Sequence, residues 1–95
     1  MFVSVVLDPG GVESANALVT VLAESGFKKV QRACWESVDV TEARLAELKK
    51  NIDRVTDYYD TVRLYQFPVE GMFVITELKQ KRWKRCRMKG NAQRG

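Results

Sequence analysis

The first eleven residues place the strongest constraint on what this chain can fold into. They read Met1-Phe-Val-Ser-Val-Val-Leu-Asp-Pro-Gly-Gly11, and five of residues 2–7 are apolar. β-Branched residues favour extended backbone, and a short apolar run bounded by glycine and proline is typical of a strand buried on both faces. The sequence therefore predicts a central strand that ends at Asp8, where the chain turns away.

Two roles are open to Asp8 at the carboxyl end of that strand. In α/β sheets, ligands and catalytic groups collect at this end of the strands. An Asp before Pro9-Gly10-Gly11 is also ordinary turn chemistry, because its side chain can accept a hydrogen bond from the backbone two residues on. One carboxylate is a weak metal site, but two copies of Asp8 facing each other across a dimer axis suit Mg²⁺, which needs only one or two carboxylates plus waters.

The composition rules out several kinds of chemistry. The chain has 95 residues, no histidine, and two cysteines, Cys34 and Cys86, that lie far apart. This length predicts one domain with a small core. Without histidine, Ser-His and Cys-His mechanisms are excluded and a zinc site is not expected. No apolar run reaches the roughly 18 residues of a membrane span, and no basic segment precedes the apolar start, so we expect a cytoplasmic protein with no membrane association and reduced thiols.

The charge is divided between the two ends of the chain. All acidic residues lie at or before Glu77, so residues 1–78 carry a net charge of −4 and residues 79–95 a net charge of +8. An acid-free basic segment indicates an anionic partner, because Lys and Arg bind phosphates without reading base sequence. The alternative is that these charges solubilise a tail or protect a sheet edge from aggregation. The predicted nucleic-acid-binding residues are Lys79, Lys81, Arg82, Lys84, Arg85, Arg87 and Lys89.

Periodicity predicts two helices. Residues 12–25 carry apolar residues at helical spacing, and Gly26 stands where a helix end favours a left-handed residue. A second helix, up to about residue 55, is predicted to start from an Asp39 cap that forms a capping box with Glu42.

Strands are predicted in the remaining segments. Residues 27–38 form one bent strand or two short strands, 61–67 and 72–78 are strands separated by a turn at Pro68 and Gly71, and 79–88 continue as an edge strand or arm. In extended form alternate residues face opposite sides, so Lys79, Lys81, Trp83, Arg85 and Arg87 would follow a phosphate backbone together.

The predicted order β-α-β(β)-α-β-β is that of an α+β protein, a ferredoxin-like βαββαβ sandwich with an extra C-terminal strand or arm. Residues 1–78 form the ferredoxin-like domain, and residues 79–95 form the basic strand or arm with a frayed end. Tyr65 and Phe67 lie on a sheet face that needs a cover, and Trp35 is a core or interface anchor. We therefore predict a homodimer whose interface contains Tyr65, Phe67 and Trp35.

Four features, in order over residues 1–67, resemble a known family. They are the apolar strand ending in Asp8, the helix ending in Gly26-Phe27, the Val30-Gln31 pair followed by Trp35, and Val62-Arg63-Leu64-Tyr65 in the later strand. Together they resemble the Cas-two family of small CRISPR-associated adaptation proteins. The resemblance implies a ferredoxin-like homodimer with two short strands within residues 27–38. It also implies binding of duplex DNA and of the CRISPR integrase, Cas-one, during spacer acquisition.

The resemblance implies a second activity, because many members are described as metal-dependent nucleases that act on RNA or DNA. In those members the Asp that ends the first strand is the metal-linked catalytic residue, one from each subunit, and Asp8 is its match. The chain departs from the family at Leu7, where Tyr is common, at Ala15 and Ala17, where basic residues are common, and at Lys29, where Arg is common. These departures bear on the nuclease activity more than on the scaffold role.

A third reading needs no CRISPR function. The chain would be a ferredoxin-like regulatory or RNA-binding module that stacks single-stranded RNA on Tyr65, Phe67 and Phe73. The glycine-aromatic signature that usually accompanies such a surface is missing from the sequence.

Overall fold

The computed structural model describes residues 1–87, with the side chain of Arg87 left out, so Lys89 and the predicted frayed end lie outside the described residues. The described part is an α+β structure with two helices, and the first strand ends at Asp8 as predicted. In chain order the elements are β1 (Phe2–Asp8), α1 (Val12–Glu24), β2 (Lys28–Gln31), β3 (Cys34–Ser37), α2 (Glu42–Val55), β4 (Thr61–Val69), β5 (Met72–Lys79) and β6 (Arg82–Arg87).

All six described strands belong to one sheet, in the order β2-β3-β1-β4-β5-β6. Every neighbouring pair is antiparallel. β1 lies between β3 and β4, and it is paired with β4 along its whole length, from Phe2 opposite Phe67 to Asp8 opposite Thr61. The segment predicted as one bent or two short strands is the hairpin β2–β3, with an irregular register near Gln31.

Only one face of β1 is buried, so the expectation of burial on both faces is wrong. Val3 and Val5 are fully buried, and Leu7 is buried as well. Val6, which lies between Val5 and Leu7, is 37% exposed. The buried strand residues form a single core with Leu18 and Leu22 of α1 and with the apolar residues of α2. Both helices therefore cover the same face, here called the helix side, and the other face of the sheet is called the open face.

The start of α2 differs from the prediction. Thr41, not Asp39, is the N-cap, and its hydroxyl accepts a hydrogen bond from the Arg44 backbone N–H at 3.1 Å. The reason is Val40, which is buried and whose N–H donates to the carbonyl of Met1 at 3.0 Å. This bond keeps the chain extended past Asp39, so the first residue free to cap the helix is Thr41.

The turns of the sheet also differ in part. Pro68 lies inside β4 rather than in the turn, at a register irregularity between Gln66 and Val69. A bulge is a position where a strand tolerates a residue without an N–H. The chain reverses at Glu70 and Gly71, both with positive φ. The predicted left-handed residue after α1 is confirmed at Gly26, with φ of +86°.

A buried carboxylate locks two loops at the end of β1. Asp60 is 1% exposed. Its two oxygens accept hydrogen bonds from the backbone N–H groups of Gly10 and Asp57, each at 2.7 Å. Gly10 also lies directly on Tyr59, because a Cβ at Gly10 would be 2.6 Å from the Tyr59 carbonyl oxygen. The loops that flank Asp8 and Thr61 are therefore held against each other by close packing and by one side chain.

Hydrogen bonds decide the ionisation of Asp60. Burial by itself would raise the pKa of this carboxyl group, but bonds from the backbone of Gly10 and Asp57, with the side chains of Ser14 and Asp57, outweigh burial and lower the pKa below its ordinary 3.8. A depressed folded-state pKa stabilises the protein above the unfolded value, and that stabilisation is lost as the pH falls through the folded value.

We expect Asp60→Asn to lower the free energy of unfolding by about 1–3 kcal/mol at neutral pH, because an amide cannot accept both backbone bonds. The difference from the wild type should shrink as the pH falls below 3.8, first because Asp60 binds a proton in the unfolded chain and then because the folded carboxylate is protonated at its lowered pKa. Urea unfolding at neutral and acid pH measures both effects. Asp39→Asn is the control, since Asp39 is exposed and caps no helix. A difference that stays constant into acid pH would contradict this assignment.

Candidate nucleic-acid interface

The basic segment predicted as an edge strand or arm is built into the sheet as β6. It pairs with β5 from Lys79 opposite Arg82 to Val74 opposite Arg87. A two-residue turn, Gln80 and Lys81, joins the two strands with φ of 53° and 59°. Positive φ at both positions matches the twist of a tight hairpin, which fixes β6 in register beside β5.

The two faces of β6 carry different groups. Trp83 and Arg85 lie opposite Leu78 and Thr76, which are buried, so they are on the helix side. Arg82 and Lys84 lie opposite Lys79 and Glu77 and are on the open face. The predicted face that combined Lys79 and Lys81 with Trp83 and Arg85 is therefore divided, because the turn at Gln80 and Lys81 interrupts the alternation.

The open face of this edge carries exposed cations. Asp8, Thr61, Lys79 and Arg82 stand in one row across four strands, because each is the register partner of the next. Lys79, Arg82 and Lys84 are exposed, and within residues 1–87 none of the three has a carboxylate within 4 Å. These side chains are placed to meet an anion.

In the neighbouring row on the open face, Arg63 already has a partner. Arg63 and Glu77 form a salt bridge at 3.1 Å. Arg63 also donates to the Tyr65 hydroxyl at 3.1 Å. The guanidinium group of Arg63 is therefore engaged within the sheet.

Lys81 has a structural partner. Its ammonium group donates to the carbonyl oxygens of Asp53 and Thr56 at 2.6 and 3.1 Å, and it lies 3.4 Å from the Asp53 carboxylate. These carbonyls are at the C-terminal end of α2, where the helix dipole favours a cation. Lys81 therefore attaches the β5–β6 turn to α2. It differs in this from Lys79, Arg82 and Lys84, the predicted binding residues on the open face.

Aromatic residues occupy the middle of the open face. Tyr65 and Phe73 are stacked, with ring centroids 6.1 Å apart. Phe67 is 51% exposed and lies opposite Phe2 on β1. Trp35, which was predicted to join Tyr65 and Phe67 at an interface, instead lies in the core on the helix side with 7% exposure.

Asp8 is exposed on the open face at the end of β1. Asp60, one residue before the register partner of Asp8, is buried and has both oxygens engaged. Within residues 1–87 no group of three or more His, Cys, Asp or Glu side chains could hold a metal ion. Asp8 is thus not part of a larger ligand cluster within the described residues, and its catalytic and metal-binding roles stay predictions.

Two residues of this region are not among those predicted from the sequence. Asp60 ends a loop, where Asp is a frequent acceptor of backbone hydrogen bonds. Lys49 is one of several charged residues of α2, and its ammonium group lies 5.8 Å from the centre of the Trp83 ring. No local pattern around Lys49 signals that contact, because Trp83 is brought there by the sheet.

The described part of the chain, residues 1–87, contains no helix long and apolar enough to cross a membrane. Comparison of the chain with protein-family models, with curated proteins and with solved structures finds no match.

Proposed function

We propose that this protein is a homodimeric, ferredoxin-like scaffold of CRISPR adaptation that binds duplex DNA through the cations of its C-terminal edge strand. The observation that carries the proposal is β6, an acid-free strand whose exposed cations flank an aromatic sheet face. The CRISPR assignment, with the integrase as protein partner, comes from the resemblance of residues 1–67 to the Cas-two family.

The strand order supports the ferredoxin-like part of the proposal. A ferredoxin-like sandwich places its two crossover helices on one side of an antiparallel sheet. β2-β3-β1-β4, with α1 and α2 both on the helix side, has this arrangement. β5 and β6 then extend the sheet beyond β4 and carry the basic residues to its edge.

The chemistry of β6 supports the proposal of duplex binding. Alternate residues of a strand are about 6.6 Å apart, so Arg82 and Lys84 present two cations in a line along the sheet edge. Such a line neutralises successive phosphates without reading bases, and the released counterions make the affinity strongly dependent on salt. A scaffold for DNA of varied sequence needs this kind of contact.

We expect the double variant Arg82→Gln, Lys84→Gln to weaken duplex binding on the order of tenfold or more at low salt. The slope of log affinity against log salt should fall by about 1.8, the value for two lost phosphate contacts. Fluorescence anisotropy with a labelled duplex at several salt concentrations measures both. Lys81 is left unchanged because its loss would disturb α2.

The matched control is Lys28→Gln, Lys29→Gln, which removes two exposed cations from β2 at the opposite edge of the sheet. It should change the slope less than the β6 variant. Equal slopes for the two variants would show that binding is diffuse and would contradict the role of β6. Tighter binding of single-stranded RNA than of duplex DNA would favour the RNA-binding module instead.

The open face supports the homodimer. Monomeric proteins rarely expose contiguous apolar patches larger than a few hundred Å², and larger patches mark interaction sites. Phe67 and Phe73 are 51% and 37% exposed on a face that no helix of the described chain covers. A second copy presenting the same face would bury these rings and leave β6 of each subunit at the rim.

We expect Phe67→Asp to shift the protein from dimer to monomer in sedimentation velocity, because a carboxylate would be buried unpaired in the interface. Val12→Asp is the control: Val12 is 78% exposed on α1, away from the open face. A dimer that survives Phe67→Asp, or a wild type that sediments as a monomer, would contradict the proposed pairing.

A metal-dependent endonuclease, acting on RNA or DNA, is the second candidate. It is favoured by one observation, the exposure of Asp8 on the same open face that would be paired in the dimer. Pairing of open faces would place both copies of Asp8 at one interface, whereas a single chain supplies one carboxylate.

If the nuclease proposal holds, Asp8→Asn should abolish Mg²⁺-dependent cleavage of RNA or DNA and leave duplex affinity unchanged, since an amide lacks the charge that holds the cation. Asp39→Asn should cleave like the wild type. Cleavage that persists in folded Asp8→Asn protein would remove Asp8 from the mechanism.

A further inference from the structure

Two cations from different elements meet on the helix side of β6. Lys49 extends from α2 and Arg85 from β6, and both line one cavity of about 280 Å³. Trp83, two residues before Arg85 and on the same side of the strand, provides the aromatic ring beside Lys49. This cluster lies on the opposite side of β6 from Arg82 and Lys84.

The pair has no acidic partner at contact distance. Within residues 1–87, neither Lys49 nor Arg85 has a carboxylate within 4 Å. Glu42 and Glu70 line the same cavity. Glu42 begins α2, about 10 Å along the helix axis from Lys49, and Glu70 is in the β4–β5 turn, at the end of β5 remote from Trp83.

The two cations are close enough to repel each other. Burial of Lys49 and, second, the charge of Arg85 lower the pKa of the Lys49 amine. The face of Trp83 attracts the ammonium group, which explains where Lys49 lies but not why Arg85 shares the cavity. An anion between the two cations would remove the repulsion and complete their hydrogen bonding.

We propose that Lys49 and Arg85, beside Trp83, form a phosphate-binding subsite for the nucleic-acid backbone on the helix side of β6. The proposal rests on the proposed function and adds Lys49 to the DNA-binding surface. The backbone of a bound duplex then meets cations on both sides of the sheet edge: Arg82 and Lys84 on the open face, and Lys49 and Arg85 around the edge.

The test compares Lys49→Gln with Lys50→Gln. The two lysines are neighbours on α2 and lose the same charge, but Lys50 is exposed and does not line the cavity. We expect Lys49→Gln to lower the slope of log affinity against log salt by about 0.9, one phosphate contact, and Lys50→Gln to lower it less. Arg85→Gln should behave like Lys49→Gln.

A second measurement uses inorganic pyrophosphate as the probe, with Trp83 fluorescence as the signal. Pyrophosphate should change the emission of the wild type and of Lys50→Gln, and this change should be absent in Lys49→Gln, Arg85→Gln and Trp83→Phe. Unfolding midpoints verify folding. Lys49→Gln removes the repulsion from Arg85, so this variant should not be less stable than the wild type. If Lys49 had a purely structural role, Lys49→Gln would instead lower the stability.

The outcomes separate this subsite from the general proposal. If duplex binds normally but Lys49→Gln matches Lys50→Gln in salt slope and in pyrophosphate response, the subsite is wrong and the proposed function stands. If the wild type binds no duplex, the proposed function fails and pyrophosphate decides the subsite. A pyrophosphate response that is present in the wild type and lost in Lys49→Gln then supports the subsite. The absence of a response in the wild type overturns the subsite.

Discussion

Packing of both helices on one face of the sheet is the constraint on which the rest of the structure depends. Val3 and Val5 of β1 are fully buried with Leu18 and Leu22 of α1, and this contact uses only one side of the strand. Hydrophobic burial is favourable at about 25 cal/mol per Å² of apolar surface, so the covered side carries most of the stability. The uncovered side is left with Tyr65, Phe67 and Phe73, which no helix within residues 1–87 covers.

The same core determines where the basic segment lies. Trp83 packs against the core cluster, and the ammonium group of Lys81 is bound by carbonyls at the C-terminal end of α2. These two contacts, one from the tight turn and one from β6, attach β6 to the rest of the structure. A segment that served only to solubilise the chain would need neither contact. Its charges would gain nothing from a fixed position, whereas phosphate binding gains from cations already held in line.

Protection of a sheet edge is the stronger alternative for these charges. Lysines on an exposed edge strand do prevent pairing with other chains. That explanation suits Arg82 and Lys84, which face solvent, but it does not account for the position of Arg85. Arg85 is on the helix side, next to Lys49 from α2, and the two cations repel each other. An anionic partner explains both faces of the strand with one cause.

The sequence was most informative where the signal is local. The strand end at Asp8, the left-handed Gly26 and the two helices follow from residues adjacent in the chain. It failed where a distant residue decides. The cap moved from Asp39 to Thr41 because Val40 bonds to Met1, 39 residues away along the chain.

The candidate site shows the same limit. Alternation in the basic segment correctly indicated a strand with two faces. It did not indicate the two-residue turn of Gln80 and Lys81, in which Lys81 binds carbonyls at the C-terminal end of α2 instead of being free to bind phosphate. No pattern in α2 marks Lys49 as different from Lys50, because the difference is the ring of Trp83, 34 residues later.

The electrostatics of the whole chain favour a partner that approaches from one side. Residues 1–78 carry −4 and residues 79–95 carry +8, so a polyanion is repelled by most of the domain and attracted at one edge. In a dimer paired through open faces, the two acidic bodies would be held together by aromatic contacts, and each basic edge would remain at the rim. A duplex could then reach cations from both subunits only by lying along those rims. In such a dimer the aromatic face would set the geometry in which the basic edge meets phosphate.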